Sequence, residues 1–137
     1  MPSIEPDADQ LQKLMAAADD PSPVVMINLL RFRDVAEYPA GFDAEPCSGR
    51  EAYLRYGMHV LPMLGAVGGR ILWRGDARMT VIGPDSERWD EAILVEYPSR
   101  KAFLTMVTNP EYLHIGNHRT AALADSRLIA TEAQPIP

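Results

Sequence analysis

The sequence holds a single cysteine, Cys47, and no apolar run close to the length of a membrane span. One thiol cannot close a disulfide within the chain, so a reducing compartment is expected. A membrane-spanning helix needs roughly 20 apolar residues, and the N-terminus is acidic where a signal peptide would be basic. These absences predict a soluble cytoplasmic protein with no membrane partner. Cys47 lies in a Pro- and Glu-rich loop without a nearby base, so a passive thiol is expected.

A basic run is missing as well. The eleven arginines are scattered along the chain without interleaved aromatic residues, so the sequence predicts no nucleic-acid partner. Phosphate-binding glycine loops and zinc-type Cys/His clusters are also lacking. His114 and His118 have the four-residue spacing of paired metal ligands, but no Glu follows the first and no third ligand stands nearby. The sequence therefore predicts neither a metal site nor a cofactor.

The net charge of −6 is unevenly distributed. Residues 1–23 hold five acidic residues against Lys13, which gives −4. No composition shift or linker divides the remainder. The interpretation is an acidic N-terminal helix with a Pro-rich connector over residues 1–23, one domain over residues 24–132 and a tail over residues 133–137.

Apolar spacing, caps and turns predict the order of elements in that domain. Val24–Phe32 is apolar at every second position on both sides, which is typical of a strand covered from two directions. Ser48 and Glu51 form a capping-box pattern before a helix whose apolar residues recur at three- and four-residue steps. The expected elements are the strand 24–32, a loop 34–49, a helix 50–66, a hairpin of strands 69–75 and 89–97, two helical pieces capped by Ser99 and Asn109, and a last strand 127–131.

A β-α-β-β-α-β order predicts a ferredoxin-like α+β fold, with an antiparallel sheet and both helices on one face. The other face would normally carry polar residues, yet Ile27 and Leu29 alternate with equally apolar Met26 and Leu30. A single chain of this plan covers only one face. The sequence therefore predicts a homodimer formed through the sheet faces.

Several segments resemble a bacterial family known as DUF 1330, a domain of unknown function. They are residues 53–56, 68–75, 94–99 and 110–112, together with Arg119. The resemblance covers about Val24 to Thr131 and implies the dimeric α+β barrel superfamily, which includes small monooxygenases and haem-handling enzymes. It implies the fold and the dimer but transfers no settled activity.

The helix after Asn109 carries the most informative polar residues. Tyr112 and Arg119 fall on one stripe that faces the core, with His118 at its edge. One interpretation is that Arg119 and Tyr112 bind a carboxylate or another oxyanion of a small ligand. The alternative is structural: Arg119 extends past the helix, or pairs with an acid such as Glu96.

The predicted hairpin carries a second charged group. Simple alternation places Arg70 and Arg74 on one strand face, within reach of Glu96 on the neighbouring strand. In a dry pocket Glu96 could act as a general base. The alternative is a cross-strand ion pair that fixes the register of the strands.

The leading hypothesis is a homodimer that binds a small molecule, and that could be a cofactor-independent enzyme acting on an aromatic or oxo-acid compound. Its pocket would lie between sheet and helices. A second hypothesis is a non-catalytic structural or interaction dimer, and a third, prompted by the superfamily and Asn28, is a haem-degrading monooxygenase. The candidate catalytic residues are Glu96 and His118, and the candidate ligand-binding residues are Asn28, Tyr53, Tyr56, Arg70, Trp73, Arg74, Tyr112 and Arg119.

Overall fold

A computed structural model describes all residues from 1 to 137 and shows an α+β fold. The elements are α1 (Ala8–Ala16), β1 (Val24–Phe32), α2 (Gly49–Ala66), β2 (Arg70–Asp76), β3 (Glu91–Tyr97), α3 (Arg100–Val107), α4 (Pro110–Ala122) and β4 (Leu123–Thr131). This order confirms the ferredoxin-like prediction. No helix has the length and apolar character required to cross a bilayer.

Local sequence signals set several of these bounds. The Oγ atoms of Ser48 and Ser99 accept hydrogen bonds from backbone N–H groups of the first turns of α2 and α3, at 3.1 Å in each case. The Asn109 side chain caps α4 in the same way, from the N–H of Glu111 at 2.9 Å. Each cap satisfies a backbone donor that the helix itself cannot satisfy. The predicted starts of all three helices are confirmed to within one residue.

The four strands form one antiparallel sheet in the order β2-β3-β1-β4. Successive side chains point to opposite sides of a strand, so the sheet has two distinct faces. On the side that we call the covered face, Val24, Met26 and Leu30 are at most 2% exposed. The opposite side is the open face, which carries the apolar residues Val25, Ile27, Leu29, Trp73, Ala92, Leu94 and Ile129.

The helices pack on the covered face and form two neighbouring core clusters. The larger joins Val24 and Met26 of β1 to buried side chains of α2, α3 and α4. The smaller surrounds Leu30 and Leu123. Tyr53 of α2 packs against both clusters, so it marks the boundary between them.

A β-bulge in β2 overturns one sequence prediction. The pairing of β2 with β3 shifts between Ile71 and Trp73, which leaves Leu72 as the extra residue. Because one inserted residue reverses the alternation, Arg70 and Trp73 share the open face, whereas Arg74 lies on the covered side. The prediction that Arg70 and Arg74 share a face is therefore wrong.

Backbone contacts close the long loop between β1 and α2 at its base. The N–H of Gly49 donates to the carbonyl oxygen of Arg33 at 3.1 Å, and the N–H of Arg33 donates to that of Ala122 at 2.8 Å. A Cβ atom on Gly49 would lie 2.6 Å from the Ala122 carbonyl oxygen and closer still to that of Arg33. Only glycine fits this crossing, which joins the end of β1 to the start of α2 and the end of α4.

Candidate functional site

Aromatic and basic side chains converge on the covered face beneath α2 and α4. Four phenols, which we call the tyrosine cluster, surround the larger core cluster. Arg119 lies in the last turn of α4, on the same helix as Tyr112 and the buried Ile115. The members of the tyrosine cluster are Tyr53 and Tyr56 from α2, Tyr97 from β3 and Tyr112 from α4.

Three of the tyrosines, those of α2 and α4, contact one another through their rings and one hydroxyl pair. The Oη atoms of Tyr56 and Tyr112 lie 2.9 Å apart in a hydrogen bond. Their rings meet edge to face at 6.2 Å, and the rings of Tyr53 and Tyr56 are tilted at 5.3 Å. Such aromatic pairs stabilise a fixed arrangement beyond the area they bury. The cluster therefore holds its hydroxyl groups in defined positions.

Burial keeps these phenols protonated at neutral pH. It raises the pKa of Tyr53 to about 12, and it raises the pKa values of Tyr56 and Tyr97 above their ordinary value as well. The positive charge of Arg119 acts on all three in the opposite direction. With raised pKa values these phenols stay protonated, so they are hydrogen-bond donors rather than phenolates.

Arg119 itself is half-buried and forms none of the ion pairs in the chain. Its Nη1 donates to the carbonyl oxygen of Ile4 at 2.6 Å. The N-terminal segment thus reaches the site, and it is held there by a second bond from the Ser3 N–H to Asp125 of β4 at 2.9 Å. Pairing with Glu96, one of the structural alternatives for Arg119, does not occur, because Glu96 lies on the open face and pairs with Arg70.

Asn28 lies in the middle of β1 on the covered face. Its side-chain amide donates to the carbonyl oxygens of Met26 and Ile93, both at a long 3.4 Å. These bonds tie the amide to the sheet and leave the side-chain oxygen as an acceptor. Asn28 therefore shares a face with the tyrosine cluster, as the sequence predicts.

His118 belongs to a different group on the outer side of α4. Its Nδ1 lies 2.7 Å from the Tyr38 hydroxyl, which also accepts a hydrogen bond from Arg55 at 3.3 Å. His59 stacks on His118 at 5.6 Å, and Phe42 of the loop contacts both His118 and His114. His114 and His118 thus hold the loop after β1 against α4, and His59 links α2 to His118.

Burial and three positively charged or ionisable neighbours act on this imidazole. Burial lowers the pKa of His118, and His59, Arg55 and His114 lower it further. The neutral ring can therefore accept a hydrogen bond at Nδ1 from the Tyr38 hydroxyl. No group of three or more His, Cys, Asp or Glu side chains is arranged to hold a metal ion.

Two other predicted pocket residues lie on the open face. Glu96 pairs with Arg70 at 3.0 Å, which confirms the cross-strand ion pair. The Trp73 ring crosses Gly75, where an added Cβ would lie 2.5 Å from the ring. Glu96 and Trp73 therefore face away from the helices, and the predicted pocket does not contain them.

Sequence reasoning missed two residues of the covered face. Tyr97 is 5% exposed and contacts Phe103 edge to face, and Glu91 is 2% exposed beside Arg74. Both lie an even number of residues from Ile93 along β3, so the two-residue period of a strand places all three on the same, buried side. Charged side chains are seldom fully buried, so a glutamate is not expected at a core position of a strand.

Comparison with known proteins gives a family but no activity. The family model described as "Domain of unknown function (DUF1330)" matches residues 47–133. This match begins later than the expected Val24. No functionally curated protein matches the chain.

Two crystal structures of the protein RPA0582, one of them methylated, share the whole fold. The protein, from Rhodopseudomonas palustris, is described as having unknown function. The methylated form is 36% identical, with 98% of this chain and 96% of that chain covered and a TM-score of 0.90. The other is 35% identical, with 99% and 100% covered and a TM-score of 0.90.

A more distant structure is similar in fold alone. It is a dimeric protein of unknown function with a ferredoxin-like fold from Bacteroides fragilis. It is 15% identical, with 81% of this chain and 96% of that chain covered and a TM-score of 0.50.

Proposed function

The chain belongs to the DUF1330 family, and on that premise we propose that it is a homodimer whose subunits each bind a small oxyanionic molecule between the sheet and the helices. The observation that carries the ligand proposal is Arg119. It is a half-buried guanidinium with no carboxylate partner, and it lies on the same helix as Tyr112 of the tyrosine cluster.

The open face supports the homodimer. Its centre is apolar, and its rim carries the ion pairs Arg70–Glu96 and Arg127–Asp125. An apolar centre with a polar rim is the usual composition of a protein interface. A second copy would cover the same surface that it presents, which is the geometry of a two-fold dimer. The Bacteroides fragilis protein of this fold is described as dimeric, which agrees with the proposal.

The chemistry of the covered face favours an anionic ligand with a flat apolar body. A guanidinium binds carboxylates through two parallel N–H donors, and only one Nη of Arg119 is used by Ile4. The tyrosine rings provide apolar walls, and their protonated hydroxyls provide further donors. Aromatic acids and 2-oxo acids combine these features.

The proposed function is ligand binding, without a catalysed reaction. The two residues suggested as catalytic lie outside the tyrosine cluster: His118 is hydrogen bonded to Tyr38, and Glu96 is paired with Arg70 on the open face. A structural dimer without a ligand would leave Arg119 as a residue that only fixes the N-terminal segment. Measurement of binding separates these two roles.

The test is titration calorimetry with a panel of aromatic acids and 2-oxo acids on the full chain. Arg119→Gln should weaken binding of any ligand found by about tenfold or more, because charge-assisted hydrogen bonds contribute about 1.5–3 kcal/mol. Arg88→Gln is the matched control, since Arg88 is an exposed loop residue, and it should leave binding unchanged. Absence of binding across the panel, or equal loss in both variants, would contradict the proposal.

A further inference from the structure

Three large apolar side chains lie in one short stretch of the segment that joins β2 to β3. Met79, Val81 and Ile82 are 80%, 84% and 95% exposed, so the rest of the chain leaves them uncovered. Single exposed apolar residues are common on protein surfaces, but an adjoining group of them marks an interaction site. We call residues 77–86 the arm.

The base of the arm is anchored next to the open face. The N–H of Ala77 donates to the carbonyl oxygen of Asp90 at 3.0 Å, which closes the segment where it leaves the sheet. Just beyond the arm, the Trp89 ring packs against the guanidinium of Arg127 at 5.0 Å. Arg127 lies on the open face of β4, opposite Leu29. The exposed apolar residues therefore adjoin the surface that is proposed to form the dimer.

The edge strand β2 is a second apolar surface without cover. Ile71 and Leu72 are each 42% exposed, and Trp73 is 54% exposed. β2 pairs only with β3, so the backbone groups along its outer side have no strand partner. Apolar edge strands are usually covered, because they otherwise pair with another chain.

A second copy of this chain fits both surfaces at once. In a two-fold dimer each subunit presents its arm and its β2 edge to the other, so the contact forms twice. The arm follows the end of β2, whereas Ile71 and Leu72 lie near the start of that strand. Two β2 strands that run antiparallel in neighbouring subunits would bring each arm to the start of the other strand. One arrangement therefore covers the arm, the edge and the open face.

We infer that the arm crosses to the second subunit and packs on Ile71 and Leu72 of the partner subunit, so that two exchanged arms hold the homodimer together. This inference rests on the proposed homodimer and adds a contact outside the sheet faces. The dimer then depends on the arm as well as on the open face.

The test is sedimentation equilibrium of Ile82→Asp and Leu72→Asp on the full chain. A carboxylate at either position would be buried against apolar side chains of the other subunit, so each variant should raise the dimer dissociation constant about tenfold or more. Met58→Asp is the matched control, because Met58 is 75% exposed on α2, and it should leave the constant unchanged. All three side chains are exposed in the single chain, so the variants should keep its fold.

Paired cysteines test where the arm lies. In a chain with Cys47→Ser, the combination of Ile82→Cys and Leu72→Cys should form a disulfide-linked dimer on mild oxidation, which a non-reducing gel detects. Each new cysteine alone should give far less of this dimer, because a disulfide needs Cα atoms within about 7 Å of each other.

Leu94→Lys on the open face separates this inference from the homodimer itself. If Leu94→Lys raises the dissociation constant while both aspartate variants leave it unchanged, the arm contact is refuted and the homodimer stands. Absence of the disulfide-linked dimer from the paired-cysteine chain would refute the arm contact in the same way. A wild-type chain that is monomeric would refute the homodimer and this inference with it.

Discussion

The two faces of the sheet invert the usual distribution of polar residues. The covered face, which a single chain already buries, holds Asn28, Tyr97 and Glu91. The open face is apolar at its centre, where Trp73 is 54% exposed and Ile129 is 49% exposed. In an isolated antiparallel sheet the solvated face would carry the polar side chains. This inverted distribution is what the proposed ligand site on the covered face and the proposed dimer interface on the open face would require.

Two glutamates on β3 make the same contrast within one strand. Glu91 and Glu96 each pair with an arginine of β2, at 3.2 Å and 3.0 Å. Their side chains, however, are 3% and 32% exposed. An odd separation of five residues places them on opposite faces. The same residue type is therefore a rim charge on one face and an interior acceptor on the other.

The largest change in stability is expected when a substitution creates a cavity in the core beneath the covered face. Leu30 is fully buried between the sheet and α2, and Leu30→Ala should lower the free energy of unfolding by about 2–5 kcal/mol. Urea denaturation measures the change. Leu54→Ala on the outer surface of α2 is the control, with an effect within about 0.5 kcal/mol. Similar losses in both variants would contradict the assignment of this face as the core.

A charge introduced on the open face should weaken dimer formation. Leu94→Lys places an ammonium at the centre of the proposed interface, at a cost of about 3 kcal/mol, so the dimer dissociation constant should rise about a hundredfold. Sedimentation equilibrium gives the constant. Leu54 is equally apolar but lies on the outer surface of α2, so Leu54→Lys should leave the dimer dissociation constant unchanged. A wild-type chain that sediments as a stable monomer would refute the dimer directly.

Glycine substitutions in α2 test the close backbone contact of Gly49 with Arg33 and Ala122. Gly49→Ala should destabilise the fold by about 1–3 kcal/mol, because the added Cβ meets the backbone of Arg33 and Ala122. Gly57→Ala, in the same helix with open space around it, should stabilise the fold by about 0.5–1 kcal/mol. Thermal unfolding of the two variants should move in opposite directions. Equal shifts would show that the crossing at Gly49 can relax.

The smallest effect is a pH dependence that arises outside both faces. The pKa of His118 is lowered in the folded chain, so the unfolded chain takes up its proton first as the pH falls. The stability from this group is complete above its ordinary value of about 6.5 and is lost as the pH falls through the folded value. Melting curves between pH 7.5 and 5.0 should show the decline, and His118→Asn should flatten it. An unchanged slope in the variant would assign the decline to other groups.

Local signals in the sequence predict much of the fold. The bounds of β1 follow from its apolar run, and the starts of α2, α3 and α4 follow from the caps Ser48, Ser99 and Asn109. Each of these features depends on residues within a few positions of one another. Tyr53, Tyr56, Tyr112 and Arg119 follow from helical spacing for the same reason.

What the sequence does not predict depends on distant partners. The bulge at Leu72 exists only in the pairing of β2 with β3, and it moves Arg74 to the covered side. The contact of Arg119 with Ile4 joins residues that are 115 positions apart. The early start of β4 at Leu123 likewise depends on its pairing with β1. No periodicity in one segment reports the register of another.

The backbone contacts among Arg33, Gly49 and Ala122 allow the loop after β1 to vary in length. Its two ends are pinned together by backbone hydrogen bonds, so the spacing of the strand and helix that flank it does not depend on the length of the loop. Doubling the length of such an excursion costs only about 0.6 kcal/mol in chain entropy. Insertions and deletions within this loop can therefore change the surface next to α4 while the sheet and helices keep their arrangement.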